Sequence, residues 1–137
     1  MTVREEFDLW AADGRDETMA DEHWHTAKEV LSRMPIEPGD VVLDLGPGSG
    51  YAMRAMLDTA GAGRAYGLDA SPEMAVKASA ATEDPNAAFV AGTFTSLPFA
   101  DDSVDHAFTM EAFYYAADPI DALRELRRVL KPGGTFH

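Results

Sequence analysis

Three glycines at alternate positions, Gly46, Gly48 and Gly50, directly follow a short apolar run in the segment Asp44-Leu45-Gly46-Pro47-Gly48-Ser49-Gly50. Residues without a β-carbon let the chain turn sharply and let backbone approach a ligand that a side chain would exclude. Further on, Asp69 closes a second apolar run, where an acidic side chain can accept two hydrogen bonds from the vicinal hydroxyls of a ribose. Ser71-Pro72-Glu73 follows as N-cap, first-turn proline and first-turn acid, so helix capping falls to Ser71 and Asp69 is left for a ligand. Asp44 is placed either to receive an ammonium group or to tie down the glycine loop. The spacing rejects two rivals. A dinucleotide fingerprint needs a third glycine where Tyr51 stands, and no Gly-Lys-Ser/Thr follows that would make a phosphate loop.

These groups meet only if the chain builds a parallel sheet from βαβ units, and the patterning from residue 41 onward has that form. Strands are expected over Val41 to Leu45, Ala65 to Asp69, Ala87 to Ala91 and Val104 to Met110. A fifth strand begins at Thr135. Helices follow Gly50 as far as Gly61, run from Pro72 to about Thr82, and start at Asp118-Pro119 with Ile120, Leu123, Leu126, Val129 and Leu130 on one apolar face. Lys131-Pro132-Gly133-Gly134 ends that last helix, and Arg124, Arg127, Arg128 and Lys131 read as a solvated cationic face that suits its carboxyl end. Upstream, Phe7 to Ala12 and Glu22 to Met34 are helical stretches joined by a polar link; they either cover the ligand edge of the sheet as a lid or pack on its flank. The domain expectation is an N-terminal helical lid over 1–36 and a cofactor-binding domain over 37–137.

Composition narrows the partners. The 137 residues carry 24 acidic and 11 basic side chains, a formal charge of -13, which repels phosphate backbones and speaks against nucleic acid. An acid-rich, lysine-poor surface also suits a salt-rich medium. No cysteine is present, so disulfides and thiolate chemistry are excluded, and the four histidines show no zinc-ligand spacing. With no membrane-length apolar run and an acidic start, the chain reads as cytoplasmic, neither membrane-bound nor exported.

The stretches Val41 to Gly50, Gly67-Leu68-Asp69-Ala70-Ser71-Pro72-Glu73-Met74, Leu97-Pro98-Phe99, Asp101-Asp102-Ser103-Val104-Asp105 and Arg127 to Gly134 together resemble the UbiE or type 11 group of class I S-adenosylmethionine-dependent methyltransferases. The resemblance implies a three-layer Rossmann-like α/β fold with strand order 3-2-1-4-5, lacking the usual last two strands. It also implies S-adenosyl-L-methionine as cofactor. Asp44, Leu45, Gly46, Pro47, Gly48 and Gly50 would then surround its methionine part. Asp69 would hold the ribose, Ala70 and Met74 would lie beside the adenine, and Met110 and Glu111 would sit under the sulfonium. After the third strand the group usually presents an acidic residue to the adenine amino group, whereas this chain has Gly92-Thr93-Phe94-Thr95; the Thr93 hydroxyl can accept one bond and the Phe94 amide can donate one.

Methyl transfer from a sulfonium is an in-line displacement that mainly requires positioning, so no dedicated catalytic residue is demanded. If the acceptor needs a base, His23, Glu111 and Tyr115 are the candidates. The expected function is methyl transfer to a small-molecule acceptor. The alternative is a cofactor-binding module without turnover. An unfinished fifth strand leaves an exposed sheet edge, from which either a longer protein or a homo-oligomer is expected.

Overall fold

The computed structural model describes residues 26–48, 50–110 and 118–137. Residues 26–33 form helix α1. The order then runs β1 (Val41–Leu45), α2 (Tyr51–Asp58), β2 (Arg64–Asp69), α3 (Pro72–Ala81), β3 (Ala87–Ala91), β4 (Val104–Thr109), α4 (Pro119–Val129) and β5 (Leu130–Phe136). All four strand pairings are parallel and give the order β3-β2-β1-β4-β5, as anticipated.

Both faces of the sheet are covered, which is why the strands read as nearly continuous apolar runs. On one face, Val42, Ala65 and Phe108 pack with Met53, Met56 and Leu57 of α2 and with Ala27 and Met34. On the other, Leu43, Leu45, Leu68, Val104 and Ala107 pack with Leu126 and Val129 of α4 and with Leu97. The described part of the N-terminal segment thus lies on the flank of the sheet; residues 1–25 of the expected lid fall outside the described residues.

Two caps act as their sequences predict. The Ser71 hydroxyl accepts the Met74 amide (3.2 Å), and the Asp118 carboxylate accepts the amides of Ile120 (3.1 Å) and Asp121 (3.2 Å), each with proline following the cap. Two expectations need correction. Strand β4 ends at Thr109, leaving Met110 beyond it, and β5 starts at Leu130 rather than Thr135. The reason for the second is a bulge: Leu130 pairs with Val104 and Thr135 with His106, so Lys131-Pro132-Gly133-Gly134 is looped out within the strand instead of preceding it. A bulge on an edge strand is where proline and a glycine at φ 83° are tolerated.

The turn into β2 is packed to contact. A β-carbon at Gly63 would lie 2.7 Å from the carbonyl oxygen of Gly39, and the Gly63 amide donates to Asp40 (2.8 Å). Gly63→Ala is therefore expected to cost about 1–3 kcal/mol through overpacking against backbone, read as a fall of several degrees in the thermal midpoint. An unchanged midpoint would show that the turn relaxes freely.

Candidate functional site

The alternation of side chains along each strand decides what lies under the glycine loop. Asp44 shares its face of β1 with Val42, and Gly67 and Asp69 share theirs with Ala65, so all point to the α2 side. The register sets Phe108, Asp44, Gly67 and Phe89 in one row across β4, β1, β2 and β3, with Asp69 one pleat further toward the carboxyl ends. That end of a parallel sheet is where open α/β folds bind ligands.

The loop rises from this row. Gly46, Gly48 and Gly50 have φ values of 75°, 58° and 88°, in the left-handed region that favours glycine. The Gly46 amide donates to the Leu68 carbonyl (2.8 Å), which pins the loop to β2, and the Gly50 amide closes a turn onto Pro47 (2.9 Å). Gly50 caps α2 without any side-chain hydrogen bond, so the positive end of that helix opens toward the loop.

Asp44 is 2% exposed, and its Oδ1 has no hydrogen-bond partner among the described residues. Burial, and then the nearby Asp69 carboxylate, push its pKa well above the usual carboxylate range. Asp69 is 4% exposed and its Oδ1 accepts the Ser71 amide (3.0 Å), which fixes the carboxylate at the mouth of α3. The carbonyl of Asp69 in turn accepts the Gly92 amide (2.9 Å), so the turn after β3 is held against the end of β2.

The other expected site residues sort by face. Leu45 is fully buried in the α4-side core, so it offers the loop only backbone. Met74 is buried at the start of α3, Ala70 is half-buried, and Met110 packs on the α2-side core just beyond β4. The Phe94 ring packs on the α4-side core. The exposed Thr93 hydroxyl shares a hydrogen bond with Thr95 (3.0 Å), so an incoming acceptor or donor would compete with that bond. His23, Glu111 and Tyr115 lie outside the described residues.

Three supports were not singled out from the sequence. Thr109 donates its hydroxyl to the Leu45 carbonyl (2.8 Å) and so ties the ends of β4 and β1 together. Arg128 is not part of a solvated face: its guanidinium donates to the carbonyls of Phe99 (2.8 Å) and Leu97 (2.9 Å) and to Glu125 and Asp101. It bolts the Leu97-Pro98-Phe99 stretch to α4, with Glu125 also accepting the Leu97 amide (2.8 Å). His106, at the amino end of the sheet, bridges Asp40 (3.1 Å) and Thr135 (2.7 Å), on the side away from the loop.

The model of the family described as methyltransferase domain matches residues 43–137. Among curated proteins, malonyl-[acyl-carrier protein] O-methyltransferase of a Marinomonas species is 34% identical over 108 residues, 78% of this chain and 40% of that protein. A protein solved in complex with the Trm112 methyltransferase activator of Haloferax volcanii is 63% identical at a TM-score of 0.95, over 98% of this chain and 60% of its own. An S-adenosylmethionine-dependent methyltransferase from Aquifex aeolicus is 25% identical at a TM-score of 0.76, covering 87% of this chain and 67% of that one. The chain spans 31%, 40% and 50% of the length of the first three curated relatives it matches.

Proposed function

The chain belongs to the class I S-adenosylmethionine-dependent methyltransferases, and from that premise we propose that the cradle between Asp44 and Met74 holds S-adenosyl-L-methionine for methyl transfer to a small-molecule acceptor. The observation that carries the cofactor assignment is Asp44. A buried carboxylate oxygen without a donor is costly, and the α-ammonium of a methionine moiety supplies the missing donor and the compensating charge. That need favours the ammonium role over tying down the loop.

The rest of the cradle divides by charge. The positive end of α2 at Gly50 and the Gly48 amide suit the carboxylate of the methionine part. Asp69, oriented by Ser71, accepts the ribose hydroxyls; a carboxylate has room for about four hydrogen bonds, so the Ser71 amide does not compete. Ala70 and Met74 give the adenine an apolar wall, with the Phe94 amide and Thr93 hydroxyl at its edge. Met110 and Glu111 are assigned to the sulfonium end. When bound, the cofactor supplies an activated methyl carbon; this chain's part is to hold the donor still, keep water out and leave one approach open to the acceptor. His23, Glu111 and Tyr115 remain the proposed proton acceptors, and the part of the 1–36 segment ahead of residue 26 the proposed lid over the domain of residues 37–137.

A small-molecule acceptor is favoured over nucleic acid by the charge of -13. The same charge, and the Haloferax origin of the complex, support a salt-rich cytoplasm as the working medium. That complex also supports a second reading, in which this domain binds cofactor but turns over only with a protein activator of the Trm112 kind. A heterodimer of that kind is the alternative to the expected homo-oligomer.

Calorimetric titration with S-adenosylmethionine and S-adenosylhomocysteine in molar KCl, with and without the activator, tests both readings. Micromolar binding by the chain alone is expected, and absence of heat at millimolar ligand would sink the cofactor assignment. Turnover on small acceptors only with activator present would favour the second reading. Light scattering of the same samples separates a heterodimer from a homo-oligomer.

A further inference from the structure

Gly67 lies inside β2, where its backbone is extended and any residue would be accommodated, so the need for glycine there is one of space. It stands in the buried row between Asp44 and Phe89. A β-carbon at this position would come within 2.6 Å of Met53 Sδ, 2.8 Å of Pro47 Cγ and 3.0 Å of Phe89 Cδ1. Met53 is the far end of a flexible side chain and can turn away. The Pro47 ring cannot, because its torsions are locked and its neighbours are Gly46, pinned to Leu68, and Gly48.

We propose that Gly67 is a positioning residue for the cofactor: the gap it leaves in β2 receives the Pro47 ring and so sets how deeply the glycine loop sits over Asp44. The inference rests on the cofactor reading above. A methyl group at position 67 lifts Pro47, and with it the Gly48 amide that follows it, by a few tenths of an ångström or more. The distance between that part of the loop and Asp44 is what must match the carboxylate and ammonium of one amino acid moiety, so a small lift separates the two halves of the site. Gly67 touches no ligand in this account. Its effect is transmitted wholly through Pro47.

The test is a double-mutant cycle read by calorimetry with S-adenosylhomocysteine on the full chain, with thermal midpoints measured alongside. Gly67→Ala is expected to weaken binding tenfold or more in the wild-type background and less than twofold when Pro47→Ala is already present. In a Met53→Ala background the tenfold loss should persist. The proposal is overturned if Gly67→Ala binds like wild type, or if Met53→Ala removes the loss and Pro47→Ala does not, which would make Gly67 a core-packing residue. Should Gly67→Ala fail to fold, recovery of folding by Pro47→Ala supports the contact and lack of recovery refutes it. Wild type without measurable binding would instead defeat the cofactor reading on which the inference stands.

Discussion

Asp69→Ala should lower affinity for S-adenosylhomocysteine about a hundredfold, with Asp69→Asn falling about tenfold. The larger figure is two charge-assisted hydrogen bonds from ribose hydroxyls at about 1.5 kcal/mol each. The comparison between the two variants matters because Asp69 also has a structural task. Its Oδ1 accepts the Ser71 amide, and Ser71 caps α3, so alanine removes an anchor of the helix start as well as the proposed ribose contact. Asparagine keeps one oxygen for that amide. The thermal midpoint of Asp69→Asn should therefore stay near that of wild type while affinity drops, whereas Asp69→Ala should lose both. If Asp69→Asn binds with wild-type affinity, the ribose assignment fails.

Asp44→Asn is expected to do two opposite things: stabilise the empty protein at neutral pH and weaken cofactor binding. The sign follows from linkage. The Asp44 carboxyl in the folded chain holds its proton to a higher pH than in the unfolded chain, because it is buried and faces Asp69. Between the ordinary carboxylate range and that raised range the native state binds more protons, so the contribution of Asp44 to stability falls as pH rises. Each tenfold displacement of this equilibrium is worth about 1.4 kcal/mol, which asparagine relieves. Binding has the reverse dependence. A cationic amino group requires the carboxylate, so wild-type affinity should fall as pH drops below the raised range, by up to about tenfold per pH unit, and binding at lower pH should release a proton. Calorimetry in two buffers of different ionisation heat measures that proton. Asp44→Asn should show neither the release nor the pH slope. A variant that melts lower than wild type and binds as well would assign Asp44 to holding the loop.

The regular elements were readable because each carried its own punctuation. Ser71-Pro72 and Asp118-Pro119 mark helix starts by local hydrogen bonding that needs no distant partner, and both caps are made. The apolar strands were recognisable because burial on both faces leaves no polar alternation. The ends of β4 and β5 were misread for the opposite reason. Lys131-Pro132-Gly133-Gly134 has the composition of a helix stop, and only pairing with β4 turns it into a bulge. Arg128 was read as a solvent-facing cation because helical periodicity says which face a residue occupies, not which loop lies over it. Its carbonyl partners, Leu97 and Phe99, are far away in the chain. Gly67 opens one of the stretches that carry the family resemblance but has no role legible there, since a requirement for space is invisible until the neighbours are in place.

By itself the amino-acid sequence determined the βαβ order, the glycine turn after β1, the acid closing β2 and the family those features resemble. These are local or regularly spaced properties, written in backbone conformation and apolar period. The tertiary structure decided what the properties amount to together. Parallel register set Asp44 beside Gly67 and one pleat below Asp69, so two carboxyl groups converge in a buried site where burial and the Asp69 charge make Asp44 hold its proton more tightly than an exposed carboxyl. Such convergence depends on strand pairing between residues distant along the chain and on the exclusion of water. Neither is encoded at any single position.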